Sequence, residues 1–156
     1  MGYTHYLTLK TSPTAEQFEN IRSAIRKLVN AAKAEGIIIR GWDGNGEPEL
    51  DERIAFNGDG ASGEDHETFI FRPDMRSFYF CKTARKPYDL IVTASYLVIR
   101  MYMPDAEISS DGGPKGFWDG MCFASKVLGW NSDVSIPYSD GRVVIRADGV
   151  TEVVDG

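Results

Sequence analysis

HETFIFRPDMRSFYFCKTARKPYD, residues His66 to Asp89, is the stretch around which the chain is organised. Thr68–Phe71 and Ser77–Cys81 are short runs rich in aromatic and β-branched residues, separated by Arg72-Pro73-Asp74. That pattern predicts two strands joined by a turn, a hairpin from His66 to Cys81. The chain then leaves through Lys82-Thr83-Ala84-Arg85-Lys86 and enters a helix near Pro87, a residue suited to a first helical turn. Asp89 falls where a carboxylate complements the positive end of the helix dipole. Between Arg76 and Tyr88 there are four basic side chains and no acidic one. Such a strand-to-helix loop is a candidate seat for phosphate or carboxylate, with Lys82, Thr83 and Arg85 as its contacts. The plain alternative is a solvated basic turn.

The rest of the chain supplies elements around this one. Tyr3–Lys10 alternates as a strand. Ser12-Pro13 opens a helix with Thr14 and Gln17 as a capping box, and Gly36 suits its C-terminal cap. Phe18, Ile21, Ile25, Leu28 and Ala32 form one apolar stripe. Ile37–Ile39 and Arg53–Phe56 read as strands, with a Gly- and acid-rich loop from Gly41 to Glu52 between them. Pro87 to Tyr102 is a helix with Leu90, Ile91, Ala94, Leu97, Val98 and Met101 inward, closed by Pro104. Ala106–Ser109 is a short strand, and Ser110–Gly113 a turn into a third helix near Pro114–Leu128, with Phe117, Met121, Ala124 and Leu128 inward. Trp130, Ile136 and Tyr138 fall in a looser segment. Asp148-Gly149 predicts a hairpin turn between Val143–Ala147 and Val150–Val154. Strands and helices do not alternate, so the expected fold is α+β. It is one two-layer domain over residues 1–156, with a mostly antiparallel or mixed sheet and about three helices on one face.

Composition narrows the function classes. The 156 residues are 42% apolar and 26% charged, which suits a folded domain. A net charge of −6 argues against a duplex nucleic-acid binder. The charge is uneven: Arg40–Glu67 holds nine acids against two bases, the reverse of the 76–88 window. Cys81 and Cys122 suit a reducing cytoplasm. No signal peptide is legible, and Leu90–Met103 is too short and interrupted to span a membrane.

Several motif-like strings fail on inspection. Gly58-Asp-Gly60-Ala-Ser-Gly63 fits a dinucleotide fingerprint, but a strand-like run follows where a helix is required. It reads as a flexible loop able to cover a ligand. Asp43-Gly-Asn45-Gly-Glu47 begins like a calcium loop, yet Pro48 and Ile54 occupy the positions that need Gly and Glu. The two histidines and two cysteines fit no zinc spacing, so no metal and no cofactor is expected. His66-Glu67-Thr68 matches half of the paired His-x-Thr pattern of two-histidine phosphoesterases; after His5 the hydroxyl, Thr8, is one place out.

Taken together, Gly2-Tyr3-Thr4-His5-Tyr6, His66-Glu67-Thr68-Phe69, Phe80–Asp89 and Ser109-Ser110-Asp111-Gly112 with Trp118 resemble a family of uncharacterised small proteins from tailed phages and prophage-bearing bacteria. The likeness runs to about Gly129, with Leu7 where the family pattern has Trp. It implies a virus-associated protein of the host cytoplasm and no established activity. Small phage proteins of this kind often counter host defence by sequestering or cleaving nucleotide-derived immune signals.

Three functional readings result. The first is a counter-defence protein that sequesters an anionic, phosphate-bearing nucleotide-like molecule such as a cyclic nucleotide or ADP-ribose derivative. Lys82, Thr83 and Arg85 would take phosphate, and His66 and Asn57 would be polar contacts. Tyr79, Tyr88 or Trp118 would stack on a base, and Asp111 would accept from a ribose hydroxyl. The second is a phosphoesterase with His66 as acid or base, alone or with His5. The third is an acidic interaction inhibitor that uses Asp43–Glu67 as a nucleic-acid mimic. Binding ranks ahead of turnover because no nucleophile–base pair is evident. A homo-oligomer with a shared site is compatible with the sequence.

Overall fold

The computed structural model describes residues 3–130, 134–138, 141–145 and 151–154. The elements run β1 (Thr4–Leu9), α1 (Ala15–Ala34), β2 (Glu49–Leu50), β3 (Ile54–Phe56), β4 (Phe69–Phe71), β5 (Ser77–Lys82), α2 (Asp89–Tyr102), β6 (Glu107–Ser110), α3 (Trp118–Leu128), β7 (Val134–Tyr138), β8 (Gly141–Ile145) and β9 (Thr151–Val154). The fold is α+β. The strands form three antiparallel three-stranded sheets, ordered β5-β1-β6, β2-β3-β4 and β7-β8-β9.

Helix α1 is set by local chemistry. Thr14 Oγ1 accepts from the Gln17 N–H at 3.0 Å, and Gln17 Oε1 accepts from the Thr14 N–H at 2.9 Å, so two otherwise orphaned donors are satisfied reciprocally. Gly36, with φ of 82°, ends the helix in the left-handed conformation. Its buried stripe is Phe18, Ile21, Ile25, Leu28 and Ala32, widened by Ala24 and Val29. Helix α2 is buried nearly all round, without a break from Ile91 to Ile99, as a central helix must be. The Tyr96 ring lies 5.8 Å from Phe69, 6.2 Å from His5 and 6.5 Å from Phe117, so α2 touches both of the first two sheets. At the α2–α3 crossing a Cβ on Gly120 would sit 2.4 Å from Thr93 Oγ1, and only glycine permits that approach.

The expected hairpin between Thr68–Phe71 and Ser77–Cys81 does not form. β4 pairs with β3, where Phe56 stacks on Phe69 at 4.8 Å, while β5 pairs along its whole length with β1, from Thr4↔Lys82 to Leu9↔Ser77. Longer-range partners win: β1 offers β5 a six-residue antiparallel register, and β3 offers β4 a stacked phenylalanine pair. The turn instead re-aims the chain into another sheet, and Ser77 takes a φ of 84° at the start of β5.

Other expectations shift less. Ile37–Ile39 is not a strand; the residue after it, Arg40, makes an isolated bridge with Asn57, the residue after β3. Gly113–Phe117 is a 3₁₀ turn, so α3 begins at Trp118 and not at Pro114. The looser segment around Ile136 and Tyr138 is strand β7, and its proline, Pro137, lies on a sheet edge, where a missing N–H is tolerated. β8 and β9 pair as expected, while the Asp148-Gly149 turn lies outside the described residues. Among the described residues, no helix is long and apolar enough to cross a membrane.

Candidate functional site

The site begins at the turn from β5 into α2. The Lys86 N–H donates to Thr83 O at 3.0 Å, closing a four-residue turn whose central residues, Ala84 and Arg85, have φ of 51° and 59°. That mirror-image turn favours Gly or Asn, and each ordinary residue held in it costs roughly 1 kcal/mol or more. Neighbours enforce it: the Thr83 N–H donates to Tyr3 O at 2.9 Å and the Asp89 N–H to Lys86 O at 2.8 Å. The strained turn lays the Arg85 guanidinium over the Tyr3 ring, 3.9 Å from its centroid.

Beneath the turn lies a chain of polar groups that joins three elements. Asp89 Oδ1 accepts from the Thr83 hydroxyl and from His5 Nε2, the latter at 2.6 Å. His5 is wholly buried, and its Nδ1 lies 2.8 Å from Ser110 Oγ. A carboxylate only accepts, which puts a hydrogen on Nε2; in the neutral ring Nδ1 then accepts the Ser110 hydroxyl. Ser110 Oγ in turn accepts from the Gly112 N–H at 3.1 Å. The order hydroxyl, imidazole, carboxylate is that of a nucleophilic triad. Here its imidazole is enclosed, while Ser110 and Asp89 are half-buried. Tyr3 packs edge-on to His5 at 4.9 Å, and a Cβ on Gly116 would stand 2.4 Å from Ser110 Oγ. The chain therefore acts as a strut that positions Asp89. Both of its bonds to Asp89 land on Oδ1, which leaves Oδ2 as an open acceptor.

Above the strut is a cleft of about 260 Å³, lined by Tyr3, Arg85, Lys86, Asp89, Leu90, Thr93, Lys115, Gly116 and Asp119. Its lining includes three cations from two separate segments and two carboxylates. None of Arg85, Lys86 or Lys115 forms an ion pair among the described residues.

The sequence-expected residues divide around this cleft. Arg85 lines it. Lys82 lies one strand position away, opposite Thr4, with its N–H donating to Glu67 Oε1 at 2.8 Å. Thr83 is buried with its hydroxyl spent on Asp89, so it holds the site and does not reach a ligand. Asn57 is also interior. Its amide donates to His66 O at 3.0 Å and Thr68 Oγ1 at 3.2 Å and accepts from the N–H groups of Gly58 and His66, so it staples the acidic loop. Tyr88 is fully buried with its hydroxyl on Glu67 O, which closes its ring to base stacking; burial pushes its phenol up. Tyr79 is half-buried, with its hydroxyl tied to the Arg76 backbone. Asp111 is exposed and accepts from the Thr4 N–H at 3.1 Å and the Tyr6 hydroxyl at 2.8 Å, which raises the Tyr6 pKa. Trp118 is 37% exposed and precedes Asp119 at the start of α3.

The two histidines do not face each other. His66 is exposed, whereas His5 has no exposed surface and is surrounded by Tyr3, Tyr96, Phe117, Asp89 and Ser110. A ring so enclosed cannot share a phosphodiester with a partner. Cys81 is buried, and burial drives its thiol far up, so it is no nucleophile. The Gly58–Gly63 loop carries a short 3₁₀ turn and is fastened by Asp59, which accepts from Ser62 and Arg40; it does not line the cleft. Among the described residues no group of His, Cys, Asp and Glu side chains is placed to hold a metal.

Sequence reasoning missed Tyr3, Lys115 and Asp119, and read Asp89 only as a helix-dipole partner. One local signal pointed to Tyr3: it is two residues from His5 on a strand and so shares its face. Lys115 and Asp119 carried none, because they meet the β5–α2 turn only in the folded chain. Compared with protein-family models, curated proteins and solved structures, the chain matches none.

Proposed function

We propose that this protein binds a small phosphate-bearing, nucleotide-derived molecule in the cleft between the β5–α2 turn and the start of α3, and holds it without turnover. The observation that carries this reading is the convergence of Arg85, Lys86 and Lys115, unpaired among the described residues, on a pocket that also offers Asp89 Oδ2 and Asp119. Cations would take the phosphate through charge-assisted bonds, and carboxylates would accept from sugar hydroxyls. The cleft, at about 260 Å³, falls just below the usual small-molecule range of about 300–1,000 Å³. A phosphorylated ribose fits such a volume, and a base would extend toward Trp118. Cyclic nucleotides and ADP-ribose-type signals belong to this class, and their sequestration is the counter-defence role proposed here. Retention without turnover is supported by the enclosure of the His5 ring and by the inertness of Cys81.

The test is to incubate the protein with mono-, di- and cyclic nucleotides and ADP-ribose isomers, chromatograph the free solution, then heat-denature and chromatograph again. A ligand that leaves solution and returns intact supports sequestration. A ligand that returns as a new product sinks the binding-only reading in favour of a hydrolase. Arg85→Ala and Lys115→Ala should each weaken binding roughly tenfold or more. Unchanged binding in both removes the cleft from consideration.

A further inference from the structure

The three cations that line the cleft differ in what each can offer a ligand. The Arg85 guanidinium lies over the Tyr3 ring, 3.9 Å from its centroid. Stacking occupies the face of the guanidinium and leaves its N–H edge, which can meet two oxygens of one phosphate at once. Lys86 and Lys115 each carry an ammonium group with three donors. None of the three forms an ion pair among the described residues. A phosphodiester presents two unbridged oxygens and one negative charge. A terminal phosphate presents three oxygens and, near neutral pH, close to two charges. Three cationic groups match its three oxygens, whereas on a diester one cation has no oxygen of its own.

The charge of the cleft points the same way. Its lining carries three positive charges against the two negative charges of Asp89 and Asp119, a net of one. Helix α2 opens at the cleft with Asp89 and Leu90, its first turn has no side-chain cap, and a helix start carries about half a positive charge. Asp89 Oδ1 also accepts from His5 Nε2 and the Thr83 hydroxyl beneath it, which draws part of that carboxylate's charge away from the cleft. The cleft is therefore positive by about one and a half charges or more, and a dianion gains more from that field than a monoanion. We infer that the group this cleft selects is a terminal, doubly ionised phosphate, so that the ligand is a ribose phosphomonoester and a cyclic or internal phosphodiester is held more weakly. This rests on the small-ligand reading above and narrows it. Asp89 Oδ2 and Asp119 take hydroxyls of the ribose. A free sugar phosphate and a nucleoside monophosphate share this chemistry.

The test is calorimetric titration of the full chain with adenosine 5′-monophosphate, its phosphate methyl ester, 3′,5′-cyclic adenosine monophosphate and ribose 5-phosphate. The first two differ by one methyl group and one charge. The monophosphate should bind roughly ten- to 100-fold more tightly than the methyl ester and the cyclic nucleotide. Its affinity should rise toward roughly tenfold between about pH 5 and about pH 7.5, as the second phosphate proton leaves near pH 6, while that of the methyl ester stays flat. Titration of the protein's own groups, His5 beneath Asp89 included, moves both ligands in one direction, so a rise confined to the monophosphate reports the phosphate. Lys115→Gln should narrow the ratio of the two affinities and Asp119→Asn should widen it, each by roughly two- to fivefold. Both side chains are exposed, so circular dichroism should be unchanged. Ribose 5-phosphate equal to the monophosphate assigns the sugar phosphate as the whole ligand, and weaker binding assigns a base contact; both support the monoester. Equal binding of monophosphate and methyl ester, or a ratio unmoved in both variants, overturns the inference. Binding of a cyclic or dinucleotide ligand without the monophosphate also overturns it and leaves the cleft as a small-ligand site. If no nucleotide or sugar phosphate binds, both fall.

Discussion

The acidic Gly-rich loop and the basic β5–α2 turn are opposites in more than charge. The acidic loop, residues 41–67, is the more motif-like in sequence, yet several of its polar groups are spent on the fold. Asn57 bonds Thr68 and the backbone of Gly58 and His66, Asp59 holds Ser62 and Arg40, Asp43 accepts from the Asn45 N–H, and Glu47 pairs with Lys33. The basic turn, residues 82–86, has no recognisable motif, yet its cations are left unpaired among the described residues over a cleft, on a backbone held in left-handed conformations. A loop that satisfies itself is architecture. A turn that stores strain and leaves charge open is where binding is sought.

That contrast can be broken experimentally, and the largest effect lies beneath the turn. His5→Ala empties a wholly buried ring site and removes the hydrogen bonds to Asp89 and Ser110, and should destabilise the protein by about 3–4 kcal/mol in urea unfolding. Asn57→Ala removes the staple of the acidic loop and should cost about 2–3 kcal/mol while leaving ligand affinity unchanged. If Asn57→Ala abolishes binding at full stability, the acidic loop is part of the site and the contrast fails.

The strain itself predicts a smaller and opposite change. Ala84→Gly relieves one left-handed residue without touching a charge, and should raise stability by about 1 kcal/mol with binding intact. Arg85→Gly relieves the other but removes the cation over Tyr3, so it should hold or raise stability while losing ligand affinity. Loss of stability in Ala84→Gly would mean that the turn is not strained.

The smallest effect is a pH dependence confined to the acidic loop. The Ser62 hydroxyl, aided by Arg40, holds the Asp59 carboxyl below its ordinary value. A depressed carboxylate stabilises the fold fully above the ordinary pKa of about 4, and that contribution is lost as pH falls through the lower folded value. Protection factors of the 58–64 amides, taken relative to intrinsic exchange at each pH, should therefore fall only on acidification below about pH 4, and Asp59→Asn should remove the dependence. A transition near neutral pH would assign it to another group.

Much of the framework is legible because its causes are local. The Thr14–Gln17 capping box, the α1 stripe, β1, α2 and the basic turn each depend on residues a few positions apart, where spacing maps directly onto geometry. The 66–81 hairpin was misread because pairing is decided between strands distant in sequence. β1 offers β5 a six-residue register and β3 offers β4 an aromatic stack, and these distant pairings outweigh the local one. Asn57, Thr83 and Tyr88 were read as ligand contacts because polarity in a loop does not reveal burial. Each proved to be bonded within the interior.

What the sequence by itself determined is the α+β class, the identity of most helices and strands, and the sign of the charge at the β5–α2 turn. These follow from periodicity, capping and composition, which act over one or two turns of chain. Only the tertiary structure decided that His5 joins Asp89 to Ser110 across separations of 84 and 105 residues. It also decided that Lys115 and Asp119 close a cleft over Arg85, and that Phe78 and Phe80 face outward. Those arrangements depend on which distant surfaces bury each other, and burial is a property of the folded whole.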